Sequence, residues 1–238
     1  MYRETAPPPA LRETVRCVWW NHTRGGERIV PDGCVDLVVA GESVFVAGPD
    51  TGPWQADLPP GTPVHGVRFR PGHAPRALGV AADELTDRRV ALAEVWGRMG
   101  SAVTDLLSHR PHSLTALVTE RVAGTERDLM LDVVLSRLDS GVPRVRDAMA
   151  GVPLGQRQFR RRFTEAVGLG PATYLRVARL RRAMAGAAAA SDLASLAVAA
   201  GYSDQAHLSR ECRALTADTA STFFTTIGSG HTPPVRAH

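Results

Sequence analysis

The chain has no run of 18 or more apolar residues, so a membrane-spanning helix is not expected. Its opening residues, MYRETAPPPALRETV, lack a charged segment followed by an apolar one, so a secretory signal is not expected either. A cytoplasmic protein with no membrane association is the expectation. Cysteine is scarce. Cys17, Cys34 and Cys212 are odd in number and widely spaced, with no CxxC or CxxH, which argues against a disulfide framework or a structural zinc finger. Free thiols in a reducing compartment are the default. GxSxG, HExxH, a phosphate-cradling glycine loop and any close Cys/His arrangement are also missing. No enzyme, cofactor or metal is therefore expected. Lysine is absent altogether, all 28 basic residues being arginine.

What is present is an uneven charge. Residues 1–140 hold 15 Arg against 18 Asp plus Glu, a formal −3, whereas residues 141–238 hold 13 Arg against 6 acids, a formal +7. An acidic first part joined to a basic second part fits a sensor attached to a nucleic-acid binder, and equally an enzyme with a nucleic-acid-binding module. At 238 residues the chain accommodates two domains, each with its own core.

The first 70 residues read as β-rich: VRCVWWN (15–21), VDLVVA (35–40), SVFVAG (43–48) and VHGVRFR (64–70) are short β-branched or aromatic runs between Gly/Pro turns. A small barrel or sandwich is expected over 1–98, with appended helices. Residues 74–81 predict a short helix. Asp87 to Arg98 predicts another, with Val90, Leu92, Val95 and Trp96 as its apolar side. Residues 101–123 and 127–139 read as further helices, the latter with Leu129, Val133 and Leu138 near one face. Residues 99–127 are taken as a helical linker.

From Pro143 onward six short helices are expected, with Gly or Pro at the joints. Val145 to Gly151 supports a first reading helix, Gln156 to Val167, and Pro171 opens a connecting helix to about Ala185. Ser191 or Asp192 caps the next helix, Asp204 caps a second reading helix, and a last turn falls near Ser221 to Phe224. Residues 228–238 read as a disordered tail.

The helical faces point to DNA. Phe159, Phe163, Ala166 and Val167 share one side of the first reading helix, while Arg157, Arg160, Arg161 and Thr164 share the other. An arginine row of this kind suits guanine O6/N7 and phosphates in a major groove. In the second helix Leu208, Cys212 and Leu215 face inward. Ala206, Ser209, Arg210 and Arg213 face outward, flanked by Gln205 and His207. This face is the lighter reader. A connecting helix of about 15 residues, about 22 Å, would set the two helices into successive major grooves. Its arginines Arg176, Arg179, Arg181 and Arg182 would lie near the phosphate backbone. The candidate DNA contacts are thus Gln156, Arg157, Arg160, Arg161, Thr164 and Arg179, with Gln205, Ala206, His207, Ser209, Arg210 and Arg213.

Residues from about 128 to 227 resemble the DNA-binding domain of AraC-family transcription regulators. The resemblance is carried by Gly201, Tyr202, Asp204, Gln205, His207, Leu208, Ser209 and Arg210, and by Arg157-Gln158-Phe159, Arg161, Phe163, Gly168 and Pro171. Cys212, Ala217 and Ala220 stand where that pattern usually has Phe, Gly and Pro, which implies looser packing and a poorer helix end in the second unit. Residues 2–98 resemble a β-rich domain found on some of these regulators, through Trp19-Trp20, Pro31-Asp32-Gly33-Cys34-Val35-Asp36, Ala47-Gly48-Pro49 and Gly66 to Gly72. The resemblance implies an α+β protein that binds double-stranded DNA in a sequence-specific way. It also implies a small-molecule effector or a homodimer acting through the N-terminal domain, with RNA polymerase as a further partner.

Trp19, Trp20, Cys34, Asp36 and Arg68 are the candidate effector contacts. On the residues alone, Pro31-Asp32-Gly33 is first a tight turn, and Arg68 and Arg70 either meet an anionic effector or pair with Asp32 and Asp36. Cys17, Cys34, His22, His65 and His73 offer soft ligands whose spacing neither requires nor excludes a metal. A non-specific nucleic-acid binder is the competing class.

Overall fold

The computed structural model describes residues 2–228, so residues 229–238 of the expected tail lie outside the described residues. Among the described residues, eight strands and eleven α-helices follow one another in an α+β order. The strands are β1 (Arg3–Thr5), β2 (Val15–His22), β3 (Glu27–Ile29), β4 (Asp36–Ala40), β5 (Ser43–Ala47), β6 (Trp54–Ala56), β7 (Pro63–Phe69) and β8 (Arg89–Ala91). Six of them form an antiparallel sheet in the order β1-β2-β7-β4-β5-β8, and β3 pairs with β6 in a separate two-stranded sheet. The large sheet stays open, with β1 and β8 as its edges. The four longer strands coincide with the β-branched runs of the sequence. The four strands of three residues each are too short to leave a period-2 pattern.

The two faces of the large sheet meet different layers. One face, carrying Leu37, Val39, Val44, Val46, Val67 and Phe69, packs under helices α1 (Ala74–Leu78), α2 (Leu92–Trp96), α3 (Arg98–His109) and α4 (Leu114–Val122). The other carries Cys17, Trp19, Val38, Ala40, Ala47 and Val64 and looks toward the small sheet. Trp19 lies flat on this face because β7 has Gly66 beneath it. A Cβ there would come 2.2 Å from Trp19 Cε2.

Several expectations for this half are corrected. Residues 99–127 are not a linker, since Leu107, Leu114, Val118 and Val122 complete the core against the sheet. The helix expected over 101–123 is two helices, broken where Pro111 removes a backbone donor. Val90 belongs to β8, paired opposite Val46, and not to the apolar side of a helix.

The second half contains α5 (Leu129–Asp139), α6 (Val145–Ala148), α7 (Gln156–Val167), α8 (Pro171–Gly186), α9 (Leu193–Ala200), α10 (Gln205–Thr216) and α11 (Ala220–Gly228). The buried stripe of α5 is Leu131, Val134, Leu135 and Leu138. Leu129 and Val133 are 65% and 48% exposed, so the face assigned from their spacing is corrected. Asp128 caps α5 by accepting from Leu131 N–H at 3.1 Å. The turn expected near Ser221 is the longer helix α11. One core spans both helix-turn-helix units and includes Val30 from the N-terminal domain.

Candidate nucleic-acid interface and adjoining cavity

The first reading helix, α7, occupies the expected residues. Phe159, Phe163 and Val167 are buried, and Phe163 sits against both Phe159 and Tyr174, with ring centroids at 5.5 and 5.7 Å. Burying this stripe forces Arg157, Arg160 and Arg161 outward in one exposed row beside Gln156. Arg157 and Arg160 make no ion pair or hydrogen bond through their side chains among the described residues. Arg161 reaches only the exposed Glu165, at 3.7 Å. Thr164 returns its hydroxyl to Arg160 O at 2.8 Å. Arg162, which no sequence pattern singled out, donates to Asp128 Oδ2 at 2.6 Å and ties the helix to the start of α5.

In the second unit, Asp192 and Ser195 form a capping box on α9, and Asp204 caps α10 by accepting from His207 N–H at 2.7 Å. That hydrogen bond holds the Asp204 carboxyl below its ordinary range. Gln205, Ala206, Arg210 and Arg213 are exposed, and Ser209 is half-exposed with its hydroxyl on Gln205 O at 2.9 Å. His207 is turned to the start of the helix. Its ring meets Tyr202 edge-on at 5.2 Å, and Nδ1 lies 3.1 Å from Ser203 Oγ.

The connecting helix α8 has 16 residues. Its arginines, expected near the phosphate backbone, have partners within the protein. Arg181 is buried and pairs with Asp139 beside Tyr174. Arg176 pairs with Glu211 at 2.5 Å, and Arg182 donates to the carbonyls of Leu138, Asp139 and Ala200. Arg179 is half-exposed and donates to Pro143 O at 2.7 Å. Helix termini leave carbonyls without partners, and these guanidiniums supply donors to them.

The N-terminal domain touches both reading helices at their C-terminal ends. Gly168, which ends α7 at φ 83°, packs so closely that a Cβ would lie 2.4 Å from Pro49 Cγ and 2.7 Å from Ala82 O. Thr86 donates its hydroxyl to Gly168 O at 2.6 Å. At the end of α10, Arg28 on β3 donates to Thr216 O at 3.2 Å and pairs with Asp218 at 2.8 Å. The Gly33 turn abuts Tyr174 and Val177 of α8. On the other side of the first unit, His73 Nε2 lies 2.8 Å from Asp132 Oδ1 on α5.

Between the large sheet and the small one lies a cavity of about 760 Å³, within the range of small-molecule sites. Tyr2, Trp19, Phe45 and Trp54 are among its walls. Of the residues expected to contact an effector, only Trp19 lines it. Trp20 points to the opposite side of β2. Arg68 and Asp36 are 1% and 0% exposed and pair with each other at 3.2 Å, with Asp32 and Glu4 also beside Arg68 at 3.5 and 3.4 Å. Cys34 is buried beside Asp32. The pairing of Arg68 with Asp32 and Asp36 is thus the alternative that holds, and the effector role is corrected for these residues. Burial also pushes the Cys17 thiol up to about 12 and raises Cys34 and Cys212, so none of the three is a ready thiolate. Among the described residues no three His, Cys, Asp or Glu side chains converge to hold a metal. No helix of the described residues is long and apolar enough to cross a membrane.

Sequence left the cavity's other walls unread. Ile29, Phe45 and Gln55 lie on three different strands, and only the fold brings them together.

Comparison with known proteins agrees with this division. Residues 3–91 match a domain of unknown function (DUF6597), and residues 150–226 match a helix-turn-helix domain family. No curated protein matches the chain. Solved structures of ToxT from Vibrio cholerae are similar. One covers 87% of this chain and 97% of its own at 8% identity and TM-score 0.49. The apo form of a ToxT variant covers 95% and 96% at 11% identity and TM-score 0.46. ToxT bound to (E)-4-(8-methylnaphthalen-1-yl)but-3-enoic acid covers 95% and 97% at 8% identity and TM-score 0.46. With two exposed helices set on one core, and a helix-turn-helix match across them, the chain carries a C-terminal helix-turn-helix domain behind a DUF6597 domain.

Proposed function

We propose that this chain is a DNA-binding transcription regulator of the AraC type, which reads its operator chiefly through α7 and is controlled by a small molecule in the cavity, whose occupancy is transmitted to α10 through β3. One observation carries the control reading. On β3, Glu27 and Ile29 line the cavity, while Arg28 between them holds Thr216 O and Asp218 at the end of α10. Side chains alternate along a strand, so a ligand that moves Glu27 and Ile29 moves Arg28 with them. An effector that favours one placement of β3 shifts the balance between DNA-competent and DNA-incompetent arrangements of the second unit.

At the DNA, Gln156, Arg157, Arg160 and Arg161 enter one major groove as base readers, with Thr164 beside them. Gln205, Ala206, Ser209, Arg210 and Arg213 enter the next with fewer base contacts. His207 positions the start of α10, and its Nε2 is left for a phosphate. Arg179 faces the intervening backbone. The N-terminal domain acts as a sensor and not as an enzyme, in the cytoplasm where the DNA is. Paired chains on adjacent sites, and contact with RNA polymerase beside the operator, are the routes by which binding alters transcription.

The test selects operator DNA in vitro with the full chain and then compares Arg28→Ala with the wild type. Operator affinity should change about two- to fivefold, the range of a partly exposed ion pair plus one hydrogen bond. An unchanged affinity, with and without a bound effector, would sink the β3 route. Binding that depends on salt but not on sequence would sink operator reading itself.

A further inference from the structure

The cavity has a marked charge asymmetry. Five carboxylates lie along it, from Glu27, Glu42, Asp57, Glu94 and Asp105, against a single guanidinium, Arg89. That guanidinium is already spent. It donates to both oxygens of Asp50 at 2.7 Å and lies over the Trp54 ring, 4.3 Å from its centroid. Glu42, Asp57, Glu94 and Asp105 are exposed at the rim, and none makes an ion pair through its carboxylate among the described residues. The interior is apolar and aromatic: Trp19, Val38 and Val64 are buried, and Tyr2 and Phe45 half-buried.

We infer that the effector is an apolar or aromatic cation, an ammonium, phosphonium or amidinium group on a hydrophobic body, and that carboxylate amphiphiles are excluded. This rests on the reading of the cavity as the effector site. A hydrophobic body gains by displacing water from the aromatic interior. A positive centre is drawn to the ring faces of Tyr2, Trp19 and Phe45, as Arg89 already is to Trp54. The rim carboxylates then supply a negative field in which an anion would be repelled, with no unpaired cation inside to offset it.

The experiment uses the full chain and two pairs of probes matched in shape but opposite in charge. These are tetraphenylphosphonium against tetraphenylborate, and decyltrimethylammonium against decanoate. Binding is read by calorimetry and by quenching of tryptophan emission, which reports on Trp19 and Trp54. The cation of each pair should bind about tenfold or more tightly than its anion. Raising the salt should narrow the gap. The double substitution Glu94→Gln with Asp105→Asn, at exposed positions, should weaken tetraphenylphosphonium severalfold and leave tetraphenylborate unchanged or tighter. Phe45→Ala should weaken both phenyl probes.

Equal or tighter binding of the anions overturns the inference, and so does failure of both cations to bind. Cation binding that leaves operator affinity unchanged keeps this inference and removes the control reading. Anion binding that changes operator affinity keeps the control reading and removes this inference.

Discussion

The two helix-turn-helix units share a plan and differ in how well each part is made. The first has two phenylalanines under its reading helix and a glycine at the helix end, with φ 83°. The second has Cys212 in the corresponding core position and closes α10 with Ala217 at φ 64°, a left-handed conformation for a residue with a Cβ. Their outer faces differ in the same sense. Arg157 and Arg160 stand free on α7, whereas α10 presents Gln205, Ala206 and Arg210. The first unit has the bulkier core side chains under its outer helix, and the second has the smaller one. Their tethers to the N-terminal domain match that division: close backbone packing at Gly168, and one partly exposed ion pair at Asp218.

The largest expected effect separates the two cores. Phe163→Ala should lose about 3–5 kcal/mol in urea unfolding, because it empties a fully buried site between Phe159 and Tyr174. Cys212→Ala should lose only about 1 kcal/mol. Equal losses would erase the distinction between a well-packed and a sparsely packed unit.

Next come the helix ends, where opposite signs are expected. Gly168→Ala should destabilise by about 2–4 kcal/mol, from the left-handed φ and the approach to Pro49 and Ala82 O. Ala217→Gly should stabilise by about 0.5–1 kcal/mol, by relieving the same conformation in the open. A loss on Ala217→Gly would mean that the second unit is not strained there.

The DNA faces should differ by about 1–3 kcal/mol per base contact. Arg157→Ala and Arg160→Ala should relax sequence preference, measured as the ratio of operator to random-DNA affinity. Arg210→Ala should weaken both nearly alike. Arg179→Ala should also weaken both alike, and a selective loss would move it among the base readers.

The smallest effect concerns pH. Burial holds His73 below its ordinary value of 6.5, against the upward pull of Asp132, with Arg76 and Arg127 adding to the lowering. The unfolded chain therefore takes up the proton first as pH falls. The stability that neutral His73 contributes is full above 6.5 and is lost as pH drops below it. Unfolding midpoints at pH 7.5 and 5.5 should differ more for the wild type than for His73→Gln. This tether holds α5, behind the first unit, whereas the tether of the second unit, Arg28 to Asp218, contains no histidine. An identical pH response in the two proteins would show that His73 does not link the domains in this way.

The sequence by itself determined the local elements of the DNA-binding half. The arginine row, the Asp192 and Asp204 caps and the Pro171 start are all encoded within one or two helical turns, so period 3.6 and cap chemistry suffice to read them. The smaller core side chain and the non-glycine helix end of the second unit were legible for the same reason, in Cys212 and Ala217. The N-terminal half was legible only where strands ran to five residues or more, and its site was not. Arg68, Asp36 and Cys34 have the chemistry of a binding site and are spent inside the domain. The cavity is walled by residues that β2, β3, β4, β5, β6, β7 and β8 bring together from distant parts of the chain. Tertiary structure alone decided that the arginines of α8 are engaged within the protein, that 99–127 belongs to the first core, and that Arg28 lies between the cavity and the end of α10. Each of these depends on a partner far away in sequence, and periodicity carries no information about such a partner.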